Sequence, residues 1–249
     1  MKSNILVIGG TGKTGRKVVE RLEEKGQNVR VGSRSNNPPF EWSNPATWTA
    51  ALSGIDMVYI VYYPDLAVPG AYEAIQALTE AMINAGIKKA VLLSGKGETE
   101  AERCEQVIAH SGLDYTLVRA SWFNQNFSES FLIEPVLTGF VALPMANEPI
   151  PFIDTNDIAD VVVAALMDDA HNGKTYELTG PRTLTFKEVY SEIGEALGRT
   201  FTFQEVTIDE YNSMMKGAGL PDDYVWLIDY LFRNVLTNPQ NQTVTNDVE

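Results

Sequence analysis

Residues 4–15 read "NILVIGGTGKTG", an apolar run that breaks into glycines, and the spacing of those glycines decides the fold. Two phosphate-binding patterns overlap there. The ending Gly12-Lys13-Thr14 matches the close of G-x-x-x-x-G-K-[ST], a nucleotide-hydrolase loop whose first glycine opens a wide turn of backbone N–H groups. Five positions before Gly12 stands Val7, inside a β-branched apolar run that reads as a buried strand, so that wide turn has no room. The other pattern fits. A strand ending at Ile8 leads into a tight turn with Gly9, Gly12 and Gly15. Then follows "RKVVERLEEKG", with Val18, Val19 and Leu22 on one helical face. In such a strand, turn and helix, glycines permit the sharp turn, close backbone approach to a pyrophosphate and tight helix-on-strand packing. The helix N-terminus offers free N–H groups to the anion. Without a ligand the same glycines are simply a turn.

The apolar runs recur at "NVRVG" (28–32), "MVYIVYY" (57–63), "AVLLS" (90–94) and "YTLVR" (115–119). Helical spacing lies between them, in Ile75, Leu78, Met82 and Ala85, and in Ala101, Cys104, Val107 and Ile108; Gly86 and Gly112 stand where these helices should stop. Alternating buried strands and helices predict an α/β protein with a doubly wound parallel sheet, the Rossmann architecture. Beyond Ala120 the Pro-rich segment 135–153 reads as loops and short strands. A helix is expected from about Asn156 to Met167, then a strand at "KTYELTG" (174–180). The next helix is capped at Thr185, with Glu188 in the capping-box position and Gly198 past its end. Two further helices break at 217–221, and the polar residues 237–249 read as frayed. The expected organisation is a dinucleotide domain over 1–180, with 129–152 contributing to a smaller lobe, and a substrate-side C-terminal α+β lobe over 181–249.

The chain of 249 residues carries a formal charge of −14 and no basic run, so nucleic acid and anionic membrane are poor partners. Residues 1–8 do not read as a signal peptide and no apolar run is long enough to span a bilayer, which suggests the cytoplasm. Cys104 is the single cysteine and His110 and His171 the only histidines, so neither a disulfide nor a zinc site is expected. Cys104 falls on the inward helical face, where packing is its natural role. A small-molecule substrate is the expected partner, with homodimerisation left open.

The second strand of such a fold ends beside the adenosine ribose, where NAD enzymes place an acid. Here it ends at Gly32-Ser33-Arg34, and a hydroxyl with a guanidinium suits a 2′-phosphate, favouring NADP(H). Arg34 as an ordinary solvated arginine is the other reading. Ligands lie across the carboxyl ends of the strands, which places the chemistry in "YYPD", "SGKGE" and "ASWFNQNF". Tyr62, Tyr63 and Pro64 either wall the cofactor or cover the sheet edge. Ser94 and Gly95 are candidates for the cofactor side, Ser94 being equally able to cap a helix, and Lys96 for the substrate pocket. Trp122, Phe123 and Asn124, with Asn126 beyond them, form either an apolar substrate wall with amide donors or the core of the second lobe.

Together "GGTGKTG", Arg34, "GIDMVYIV", "AGIKKAVLLS", "GLDYTLVRASWFNQNF", "IPFIDTNDIADV" and "GKTYELTGP" resemble the NmrA-like branch of atypical short-chain dehydrogenases over nearly the whole chain. "VGSRS", "FEWSNPATWT" and "GLPDDY" are similar to the ergot-alkaloid iminium reductases of that branch, and the later motifs to bacterial quinone and azo-dye reductases. The resemblance implies that Gly9, Thr11, Gly12, Lys13, Thr14 and Gly15 hold the pyrophosphate and Arg34 the 2′-phosphate. It places Glu41 and Trp42 near the adenine and Trp122 to Asn124 on the nicotinamide side. Two departures bear on mechanism. None of the ten tyrosines has a lysine four residues on, and Ala101 stands where isoflavone-reductase relatives carry a lysine. Hydride addition to an iminium neutralises existing charge and needs no acid, and a quinone accepts hydride readily, so activated acceptors are expected. The same resemblance carries an alternative, a redox-sensing regulator that binds dinucleotide without turnover.

Overall fold

A computed structural model of the chain describes residues 2–248. β1 (Asn4–Ile8) runs into the glycine turn and α1 (Gly15–Glu24), followed by β2 (Asn28–Gly32), the short α2 (Trp48–Leu52) and β3 (Met57–Ile60). Then come α3 (Ala71–Asn84), β4 (Lys89–Gly95), α4 (Thr99–Ala109) and β5 (Asp114–Ala120). The segment 121–154 carries α5 (Asn126–Glu129), α6 (Ile133–Thr138) and β6 (Phe140–Leu143). After it stand α7 (Thr155–Met167), β7 (Lys174–Leu178), α8 (Phe186–Leu197), β8 (Thr202–Glu205), α9 (Ile208–Gly217) and α10 (Asp222–Tyr230), which runs on into a π-helical turn at Leu231–Leu236.

One compact unit consists of Met1–Ala120, Thr155–Leu178 and Asp247–Glu249. Its sheet has six strands in the order β2-β1-β3-β4-β5-β7, every pair parallel. The strands read as unbroken apolar runs because helices cover both faces: Leu6, Ile8, Val58, Ile60, Ala90 and Leu92 are essentially inaccessible. The helical spacing read from sequence lies inward, with Ile75, Leu78 and Met82 on α3, Ala101, Cys104 and Ile108 on α4, and Ile158, Ala159, Val162 and Ala165 on α7 all at 0% exposure. Ala85 departs from it, being the exposed C-cap of α3. α4 is fastened to β5 by Arg119, whose guanidinium grips the fully buried Glu105 carboxylate at 2.6–3.1 Å.

The third apolar run is longer than its strand. β3 stops at Ile60, because the Val61 carbonyl accepts from the Trp42 indole at 3.2 Å instead of continuing the ladder, and Pro64, after a cis Tyr63-Pro64 peptide, has no N–H to offer.

The second unit consists of Ser121–Asp154 and Thr179–Asn246. It holds a two-stranded parallel sheet of β6 and β8 and an aromatic core built on Phe127, Phe152, Phe186, Tyr190 and Phe232. The Thr185/Glu188 capping box forms at α8 as expected, and a second at Thr207/Glu210 opens α9. The polar tail, as far as Asp247, is held by specific hydrogen bonds rather than frayed. Within this unit Thr245 N donates to Thr179 Oγ1 at 2.9 Å, and within the first the Asp247 carboxylate accepts from Glu177 N at 2.8 Å. Polar side chains that supply missing backbone partners fix a segment that composition alone marks as loose.

A Cβ added at Gly15 would lie 2.2 Å from the Gly9 carbonyl oxygen, a backbone atom that cannot swing away. Gly15→Ala is therefore expected to force α1 off the turn and to cost about 1–3 kcal/mol in urea unfolding; an unchanged midpoint would contradict this packing.

Candidate functional site

The turn after β1 is built by close backbone approach. Gly9 has φ +72°, its N–H donates to the Gly32 carbonyl at 3.0 Å, and its carbonyl accepts from Gly12 N at 2.8 Å. α1 begins at Gly15 with no acidic residue in its first turn and no side-chain cap, so the positive end of its dipole is not neutralised locally. Thr14 is buried, and its hydroxyl accepts from the inaccessible Tyr59 hydroxyl at 3.1 Å, which ties the turn to β3. Thr11 and Gly12 are exposed and Lys13 half-buried. This arrangement fits a pyrophosphate: exposed backbone and small side chains on an uncapped helix end.

At the end of β2, a Cβ on Gly32 would meet Ile8 Cα at 3.1 Å. Ser33 is half-buried, its hydroxyl bonded to Ser35 and Asn36 and its carbonyl to Phe40 N. Arg34 is exposed, and its guanidinium makes no hydrogen bond among the described residues. No carboxylate lies between Gly32 and Phe40. Glu41 and Trp42 are half-buried; the Glu41 carbonyl accepts from Trp48 Nε1 at 2.8 Å, and the Trp42 ring packs on Tyr62 with centroids 4.7 Å apart.

The loops leaving β3 and β4 lie side by side, since those strands are neighbours with Ile60 opposite Leu92. Tyr62 is half-buried and burial raises its phenol's pKa, whereas Tyr63 is 78% exposed. Ser94 is buried and its hydroxyl has no hydrogen-bond partner. Lys96 is 4% exposed with its ammonium 3.8 Å from Glu177; burial lowers its pKa, against which Glu177 acts. Two acids the sequence reading did not single out meet here. Asp65, in the loop after β3, and Glu98, the N-cap of α4, share a hydrogen bond, and Glu98 Oε2 is buried with no other partner. Gly95 is what makes room, because a Cβ there would fall 2.0 Å from Glu98 Oε1. Burial and then the adjacent Asp65 push the Glu98 carboxyl well above the ordinary glutamate range. Asp65 is also raised by burial, opposed by its bonds from Ala67 N and Glu98. Both acids stood inside loops marked from sequence, "YYPD" and "SGKGE", but nothing in sequence places them against each other.

In the second unit, Trp122 is half-buried and packs edge-on against Phe186 and Phe232, with centroids 5.7 and 5.3 Å away. Phe123 is half-buried and bridges to Ile153, and exposed Asn124 donates its backbone N–H to the Ile153 carbonyl at 2.8 Å. Trp122 packs against the aromatic core of its own unit while remaining half-buried. Among the described residues no cluster of His, Cys, Asp and Glu suits a metal ion, and no helix is long and apolar enough to cross a membrane.

The Glu98 pKa is higher in the folded chain than in the unfolded one, so between the two values the native state holds a proton the unfolded state has released. That contribution is whole below the ordinary value of 4.5 and is lost as pH rises through the folded value. The melting temperature is expected to decline as pH is raised above about 5, and Glu98→Gln to flatten the decline; parallel melting curves for the two proteins would contradict the pairing.

The sequence model of the NmrA-like family matches residues 1–241. Prestalk A differentiation protein A of Dictyostelium discoideum is 31% identical over 93% of this chain and 82% of its own length. Agroclavine dehydrogenase of Claviceps fusiformis is 30% identical over 88% of this chain and 82% of its own. The fold matches that of Citrobacter sp. triphenylmethane reductase complexed with NADP(H), with TM-score 0.77 and 18% identity over 98% of this chain and 93% of that one.

Proposed function

The chain belongs to the NmrA-like family, and from that premise we propose that it is an NADPH-dependent oxidoreductase delivering hydride to an activated, planar acceptor such as an iminium, a quinone or a conjugated compound. The observation that carries the cofactor is Arg34, an exposed guanidinium at the carboxyl end of β2 in a segment that holds no carboxylate between Gly32 and Phe40 to claim the ribose hydroxyls. Support for the reaction class comes from the relative named agroclavine dehydrogenase and from a reductase of like fold that holds NADP(H).

In this reading Gly9, Thr11, Gly12, Lys13, Thr14 and Gly15 hold the pyrophosphate, and Ser33 and Arg34 the 2′-phosphate. Tyr62, packed on Trp42, and Tyr63 flank the dinucleotide, and Ser94 and Gly95 meet its nicotinamide ribose. Lys96, Trp122, Phe123 and Asn124 are proposed for the substrate. The bound dinucleotide supplies a hydride; the chain's residues position the acceptor and exclude water. No tyrosine–lysine pair stands in the sequence to protonate an alkoxide, which is why an activated acceptor is proposed rather than a simple ketone.

A redox-sensing regulator is the second reading, since one relative carries the name of a differentiation protein rather than an enzyme. Titration with NADPH and NADH, followed by addition of menadione in the same cuvette, separates the two. The reductase binds NADPH in preference and consumes it, whereas a sensor binds without consumption. Arg34→Ala should cut the preference for NADPH over NADH roughly tenfold to a hundredfold, the worth of a charge-assisted contact. An unchanged ratio would overturn the assignment of the 2′-phosphate.

A further inference from the structure

Resting on the hydride-transfer reading above, we propose that Asp65 and Glu98 are the proton-delivering pair of the site: Glu98 protonates the heteroatom of an acceptor that has just taken hydride, and Asp65 restores that proton from solvent. The placement comes from topology. Asp65 lies on the loop leaving β3 and Glu98 on the loop leaving β4, adjacent parallel strands whose carboxyl ends form the ligand edge of an open α/β sheet. The loop after β3 abuts the glycine turn, since a Cβ on Gly9 would touch Val61 Cβ at 3.1 Å. Two buried polar atoms on the β4 loop, Ser94 Oγ and Glu98 Oε2, have no partner in the folded chain. A native fold leaves few such atoms unsatisfied unless something else meets them, and here a ligand at the strand ends would.

The surroundings suit a proton store. Glu98 is 6% exposed, whereas Asp65 is half-buried and so the member nearer water. The charges facing Glu98 are Asp65, Glu100 and Glu105, all negative, with Glu105 already claimed by Arg119 from β5. Arg103 and Glu73 act on the neighbouring Cys104, whose thiol burial pushes up to about 11. Two carboxyls in contact cannot both ionise cheaply, so the pair keeps one proton at neutral pH, poised as an acid of the kind a general-acid step needs. The step balances with a quinone. The acceptor gains the hydride electron pair from NADPH, which is oxidised to NADP⁺. The resulting oxyanion takes the Glu98 proton as the carboxyl O–H bond breaks and the product O–H bond forms, and a solvent proton re-forms the pair through Asp65. Acceptors that are already cationic take hydride at carbon and need no proton.

Two measurements test this on the full chain. Infrared spectra of the protein without cofactor should show a protonated-carboxyl C=O band at neutral pH that Glu98→Gln removes. Turnover is then compared with menadione, whose product must be protonated, and with malachite green, a cation that needs no proton. Glu98→Gln should lower the ratio of menadione to malachite green turnover by about 100-fold without altering NADPH affinity, and Asp65→Asn should displace the pH profile for menadione. Absence of the band, or an equal fall with both acceptors in a Glu98→Gln protein that melts cooperatively, would overturn the proposal. A wild-type protein that shows the band yet oxidises NADPH with neither acceptor would remove the hydride-transfer reading itself, and the proton-delivery role with it.

Discussion

The contact between Gly15 and the Gly9 carbonyl is the constraint from which the rest of the first unit follows. No side chain fits there, since a Cβ at Gly15 would stand 2.2 Å from that oxygen. The absence of side chains lets α1 start against the end of β1, and with it the uncapped helix terminus faces the strand ends. The same economy recurs at Gly32, pressed on Ile8 Cα, and at Gly95, whose missing Cβ leaves room for the Glu98 carboxyl. Each glycine stands at or just beyond the carboxyl end of a strand, where a doubly wound sheet binds its ligand.

Electrostatics divide this edge into two parts. In a chain of net charge −14, Arg34 is an exposed cation at the end of β2, with no acid close in sequence to neutralise it. At the ends of β3 and β4 the buried Lys96 ammonium stands near Glu177, and beside it the Asp65 and Glu98 carboxyls share a hydrogen bond, with burial raising the pKa of both. On the proposed reading, Arg34 meets the anion and the carboxyl pair the proton, both on one edge of the sheet.

How much of this the sequence carries depends on the range of the interaction. The glycine turn, the inward faces of α3, α4 and α7 and the Thr185/Glu188 box are local periodicities or caps, and each is visible in a few neighbouring residues. The early end of β3 is not local: it depends on Trp42, nineteen residues before Val61, taking that carbonyl. The order of the tail depends on partners at Thr179 and Glu177, far back in the chain. The carboxyl pair was hidden for the same reason, its members lying on loops that only the pairing of β3 with β4 brings together. Trp122, legible as aromatic, gave no sign in sequence of the Phe186 and Phe232 rings it packs against.

If this chain moves a hydride as proposed, an isotope carried on the cofactor travels with it. Protein at a concentration exceeding that of NADPH deuterated at C4 of the dihydronicotinamide, on either face in separate experiments, is mixed with malachite green and the leuco product examined by mass spectrometry. One deuterium is expected at the central carbon of the product from one of the two labelled cofactors. Labelled NADPH that stays bound and unconsumed, or leuco product without deuterium from either label, would contradict it.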